Sequence, residues 1–258
     1  MNKVEINEAL VTKLIATIRP GLCSGVGSGA KGDMCVMHAI QQTLGEGKGD
    51  QPSCVGEAVR RFDIKLNDAK WSSNEARAKG MMREAIAKLG SNQIDQVEFS
   101  KRLVLKVIQR LLPEMQERVF PDRFVAEAKE CREAKTLKMG RAAAQKFRNA
   151  AADAAADSAA DSAAADAASD AYVAVIAAVI AAADSAADSA AYAATYAAAD
   201  SAAYAAAYAA ASDAYAADAY ADFFLFLASN LGCEVLIEMK SPGAEWLWLV
   251  DKDEKVVG

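Results

Sequence analysis

From Asn149 to Met239 the chain holds no lysine or arginine, and between Gly140 and Gly232 it holds neither glycine nor proline. The first absence leaves 11 Asp and 2 Glu uncompensated, a local charge of -13 within a chain whose net charge is -6. The second removes the usual helix breakers from a region dominated by alanine, the strongest helix former, so helix is expected throughout it. Regular cysteine spacing is missing too. Five cysteines, an odd number at irregular intervals, argue against a secreted disulfide framework and for a reducing, cytoplasmic compartment. The opening MNKVEINEAL lacks the charged-then-apolar layout of a signal peptide. The most apolar run of the repeat region, from Ala171 to Ala183, is far shorter than the roughly 20 residues a bilayer requires, so no membrane partner is expected. A threonine row is absent as well, Thr195 standing alone in the repeat, which removes ice binding from consideration.

What is present divides by charge and by composition. Residues 1–148 carry 26 Lys and Arg against 18 Asp and Glu, an excess of 8 positive charges. The acidic stretch either folds back on this basic part or faces a charged partner. Residues 182–210 read AADSAADSAAYAATYAAADSAAYAAAYAA, a four-residue repeat with Asp or Tyr at the third place of each unit. In a helix, a step of four residues places each such side chain about 40° round from the last, so the stripe spirals and cannot be a heptad seam. Two arrangements fit: a bundle of short, closely packed alanine helices, or a single rod. Asp184, Asp188, Tyr192, Tyr196, Asp200, Tyr204 and Tyr208 form the candidate interaction surface, and alanine faces also suit a homo-oligomer. Acidic rows of this kind raise nucleic-acid mimicry as a further reading, although the density of Asp is modest.

Before the repeat, apolar spacing predicts helices over Val4–Ile18, from Asp33 as N-cap to Leu44, around Val55–Phe62, over Ala76–Leu89 behind a Ser72 or Ser73 cap, and from Phe99 to near Pro113. Residues 122–150 read as one basic connecting helix, with Lys129, Arg132, Lys135, Lys138 and Arg141 on a solvated row. Gly232 is expected to end a helix, and the alternation of Glu234–Met239 and Trp246–Val250 about Ser241-Pro242-Gly243 predicts a β-hairpin covering the bundle. The expected fold is therefore mainly α. It comprises a basic helical domain at 1–121, the connecting helix at 122–150, an alanine-rich acidic helical domain at 151–230 and a small β-hairpin at 231–258.

Chemistry-bearing residues gather near the N-terminus. GLCSGVGSGAKGDM, too glycine-rich for regular structure, is a candidate binding loop in which Gly25, Gly27, Gly29 and Lys31 would clasp an anion; it lacks the ending of a Walker loop, and no strand precedes it. Cys35 and the only histidine, His38, share a helical face. With Asp50 they would form a Cys-His nucleophilic site; with Cys23 and Cys54 they would form a zinc site of non-standard spacing. Packing alone also accounts for them, and no cofactor is expected.

The stretches KGDMCVMHAI and GDQPSCVGEAVRRFDIKLNDAKWSSNEARAKGMMREAIAKLGS, together with the Asp/Tyr repeat, resemble a set of uncharacterised bacterial and bacteriophage proteins over roughly residues 30–95 and the repeat. LNDAKWSS and AKLGS are the most specific parts. The resemblance implies a bacterial or phage cytosolic origin and no catalytic residues. The expected function is that of a non-enzymatic binding protein, such as a phage counter-defence factor, blocking a host protein or sequestering a small anionic ligand. The alternative is a Cys35/His38 enzyme or a zinc-stabilised regulator associated with nucleic acid.

Overall fold

A computed structural model describes residues 4–119, 121–158 and 219–257. The bundle-or-rod question and the seven Asp and Tyr residues from Asp184 to Tyr208 lie outside them. The chain divides into two compact units, Met1–Phe99 with Ser229–Gly258, and Ser100–Ala228. Both are mainly helical, and one small antiparallel hairpin is present among the described residues.

In the first unit, helix α1 (Glu8–Ile18) starts where the Asn7 carboxamide accepts from the Leu10 N–H at 3.0 Å, and it buries Val11, Leu14, Ile15 and Ile18. The glycine-rich segment then forms strands β1 (Gly27–Ala30) and β2 (Asp33–Met34), with Gly27 opposite Met34 and Ala30 opposite Asp33. Helix α2 (Val36–Leu44) is capped by Cys35 and ends at Gly45, whose φ of 77° is a glycine conformation. Asp33 was the expected cap; its carboxylate instead accepts from the Ser28 N–H at 3.1 Å across the hairpin. Helices α3 (Glu57–Asp68) and α4 (Asn74–Ala87) follow, the latter capped by Ser73. Phe62, Leu66, Met81 and Ile86 from α3 and α4 join Ile40 of α2 in the core.

The β-hairpin expected at 231–258 is not there. Residues up to Glu238 complete helix α9 (Ala219–Glu238), Pro242–Trp246 form a 3₁₀ turn, and Leu247–Val257 form helix α10. Gly232 caps nothing. A Cβ on it would lie 2.7 Å from Phe62 Cε1, so the glycine exists to let α9 approach α3. The last thirty residues thus complete the N-terminal unit. Gly243 makes this contact possible: its N–H donates to the Leu89 carbonyl at 2.8 Å, and a Cβ there would lie 2.0 Å from the Ile86 carbonyl oxygen.

In the second unit, helix α5 (Gln96–Lys106, begun in the first unit) runs through a π-helical turn at Val107–Leu111 into helix α6 (Leu112–Val119). The stop expected near Pro113 does not occur. The wide turn bonds Leu112 N–H to the Val107 carbonyl, and this local change of register lets the proline, which has no N–H, follow without a break. The single helix expected over 122–150 is two, α7 (Val125–Glu133) and α8 (Leu137–Ser158). Ala134 is extended and buried, its carbonyl accepting from Gln109 Nε2 at 2.5 Å, and Thr136 Oγ1 starts α8 by accepting from the Met139 N–H. Phe124 and Phe147 pack at 5.7 Å, and the Arg118 guanidinium lies 3.7 Å above the Phe223 ring. No helix among the described residues is long and apolar enough to cross a membrane.

Candidate binding hollow at the glycine hairpin

Besides its own strand pairing, the glycine segment is held by polar groups from α3 and α4. Asn67 is buried; its amide donates to the Cys23 carbonyl at 2.9 Å, and its Oδ1 accepts from the Val36 N–H at 3.2 Å. Asp68 accepts from the Gly25 N–H at 2.7 Å. Arg77, also buried, donates to the Leu22 and Asn67 carbonyls, both at 2.7 Å. Trp71 Nε1 donates to the Leu66 carbonyl, and the indole lies where Gly80 would carry a Cβ. LNDAKWSS is therefore a clamp: its Asn and Asp grip the loop, its Trp packs on α4, and Ser73 starts that helix. Spacing alone gave no sign of these roles.

The hairpin and α2 present two openings. A cavity of about 30 Å³, lined by Cys35, Asp50, Asn67 and Asp68 among others, is the size of a water site. The Cys35 sulfur accepts from the His38 backbone N–H at 3.3 Å, and burial pushes its thiol up. The imidazole is engaged elsewhere. Its Nδ1 lies 2.9 Å from the Val26 carbonyl oxygen, which makes Nδ1 the protonated nitrogen and leaves Nε2 as the acceptor in the neutral ring. Cys35 and His38 share one helical turn, but the thiol serves as a helix cap and the ring holds the hairpin. Asp50 lines the cavity beside Cys35. Cys23 donates to the Gly25 carbonyl at 3.6 Å, and burial, with Asp33 beside it, raises its thiol; burial likewise raises that of Cys54. Among the described residues no three His, Cys, Asp or Glu side chains gather closely enough to hold a metal ion.

The second opening is wider. Ser28, Gly29, His38, Gln42, Gly45, Gly47 and Lys48 line a hollow of about 440 Å³, within the range of small-molecule sites, roughly 300–1,000 Å³. His38 is 99% covered, yet the described residues give Nε2 no hydrogen-bond partner. Gly29 packs against that edge. With φ at 93° it has a conformation suited to glycine, and a Cβ would lie 3.1 Å from Cε1 and 3.4 Å from Nε2 of the ring. Gln42 fixes the other side by donating to the Gly29 carbonyl at 3.2 Å. Hydrogen bonds from Ser28 hold the Asp33 carboxyl below its ordinary value, with a smaller contribution from Lys48. Glu46 is turned to the Ser53 N–H.

Comparison with known protein families, characterised proteins and solved structures finds no match to this chain.

Of the predicted loop residues, the structure brings Gly29 to the hollow and Gly25 to the smaller cavity. Gly27 serves the hairpin, where a Cβ would strike the Asp33 carbonyl at 2.4 Å, and Lys31 is exposed at its tip. Sequence reasoning missed Gln42 and Lys48. The helical spacing of His38 and Gln42 was a usable signal, since residues four apart share a face.

Proposed function

We propose that this protein is a non-enzymatic binding protein that takes a small, phosphate-like anion in the hollow beside the glycine hairpin. The observation that carries the reading is the buried His38, whose Nε2 has no hydrogen-bond partner among the described residues and which lines, with Gly29 against its edge, a hollow that Lys48 borders. A hydroxyl of a hydrogen-phosphate group can donate to Nε2 while Nδ1 holds the Val26 carbonyl, with the lysine ammonium as a second contact. The Cys35 thiol, occupied in capping α2, is given no catalytic part. In the bacterial or phage setting that the resemblance implies, such a protein would withdraw a small anion from the host.

The test is titration of the full chain with inorganic phosphate by calorimetry. Saturable binding that is lost in Gly29→Ala and weakened about tenfold in Lys48→Ala, the value of one charge-assisted contact of roughly 1.4 kcal/mol, is expected, with Cys35→Ala binding like wild type. Absence of saturable binding, or equal binding by Gly29→Ala, overturns the reading.

A further inference from the structure

A second group of titratable side chains lies in the first unit, separate from the hollow. Asp63 of α3, Glu84 of α4 and Lys88, which caps the end of α4, have fully buried side chains. The Lys88 ammonium donates to Asp63 Oδ2 and stands 2.6 Å from Glu84 Oε2. Among the described residues three carboxyl oxygens, Asp63 Oδ1 and both of Glu84, have no hydrogen-bond partner, Glu84 meeting the ammonium only as an ion pair. Two carboxylates and one ammonium would leave a net negative charge and three unsatisfied acceptors in the core, both unfavourable away from water. A single proton neutralises the group and turns one acceptor into a donor between two carboxyls that close on the same Lys88 ammonium, leaving only the Glu84 oxygen beside that ammonium.

We infer that Asp63 and Glu84 form a buried proton-binding site, occupied by one proton carried on Glu84 and donated to Asp63, which fastens the C-terminal helix α9 onto the unit. The lid of the site is α9 itself, since a Cβ on Gly232 would lie 3.6 Å from Glu84 Cγ. The titratable groups facing Glu84 are Asp63 from α3, Lys88 from its own helix and the Cys233 thiol from α9, with Cys54 near Lys88. Burial, with the Asp63 charge second, raises the Glu84 carboxyl well above its ordinary value. Burial alone would lower Lys88, but Asp63 and Glu84 on either side raise it, so it remains charged. The Cys233 thiol, pushed up to about 12 chiefly by burial, stays neutral.

Because the folded form holds the Glu84 proton more tightly than the unfolded chain, this stability is complete below the unfolded carboxyl range and is lost as pH rises through the folded value. Hydrogen exchange on the full chain tests the site. Protection factors of α9 amides near Gly232 are expected to fall with rising pH by up to about tenfold per unit, the limit for one linked proton, and to stay level in Glu84→Gln. Infrared spectra should show the carbonyl stretch of a protonated buried carboxylic acid at neutral pH, absent in Glu84→Gln. Equal pH slopes in the two proteins, or an infrared spectrum with no such band in wild type, would overturn the inference. Asp63→Asn, which removes the charge that makes the proton necessary and leaves Glu84 and Lys88 as a neutral ion pair, serves as the second variant and should lose the band. A band that survives there would count against a proton shared by the two carboxyls.

Discussion

At the scale of the residue, Gly80 shows how packing outweighs intrinsic preference. A glycine inside α4 costs about 1 kcal/mol of helix stability relative to alanine. Its absent Cβ, however, would lie 2.4 Å from two carbons of the Trp71 ring. Overpacking of that kind costs roughly 1–3 kcal/mol, so the clash exceeds the gain in propensity and Gly80→Ala should destabilise the protein. A lower urea midpoint is the expected result, recovered by Trp71→Leu in the double variant. A higher midpoint in Gly80→Ala would mean the indole moves aside freely. Single residues of this kind were poorly legible in the sequence. Gly232 reads there as a helix end and Gly243 as a turn, yet they owe their places to the Phe62 ring and the Ile86 carbonyl far along the chain, while Gly80 owes its place to the Trp71 ring just before α4. Lys88 reads as a surface lysine because nothing near it in sequence shows that Asp63 will meet it in the core.

At the scale of the element, helices whose signals are local were legible. α1 follows from the spacing of Leu10, Leu14 and Ile18, and α4 from Ser73 as its cap. Elements defined by distant partners were not. Glu234–Met239 alternates like a strand, yet Val235 and Leu236 are both buried, as a helix between two neighbours requires and a half-exposed strand does not allow. The break between α7 and α8 depends on Gln109, more than twenty residues away. The glycine hairpin is the most dependent of all, since its frame is Asn67, Asp68 and Arg77. Asn67→Ala removes a donor and an acceptor at once and leaves the Cys23 carbonyl and Val36 N–H without them; each orphan costs about 1–3 kcal/mol. Hydrogen exchange should show the amides of residues 22–36 opening first in this variant, and phosphate affinity should fall with them. Unchanged exchange in that segment would mean that the hairpin stands unaided.

At the scale of the whole molecule, the first unit is built from the two ends of the chain. Gly243→Ala drives a methyl group into the Ile86 carbonyl, so its effect should not stay local. Protection in α1–α4 and in residues 229–250 should fall together, by roughly 1–3 kcal/mol. Loss confined to residues 239–257 would show that the C-terminus is an appendage rather than part of the unit. The charge asymmetry was fully legible, for it needs only counting. The hollow beside the hairpin was legible in part: Gly29 and His38 were singled out, but in separate roles. The loop was read as an anion clasp and the histidine as a partner of Cys35, because sequence does not show which ring nitrogen the Val26 carbonyl will take.

That single histidine makes the central claim directly measurable. Titration of the full chain with inorganic phosphate, followed through the one imidazole Cε1–H resonance, should move it saturably in wild type and not in Gly29→Ala. A resonance unmoved by phosphate, or moved alike in both proteins, would contradict the assignment of the hollow as the anion site.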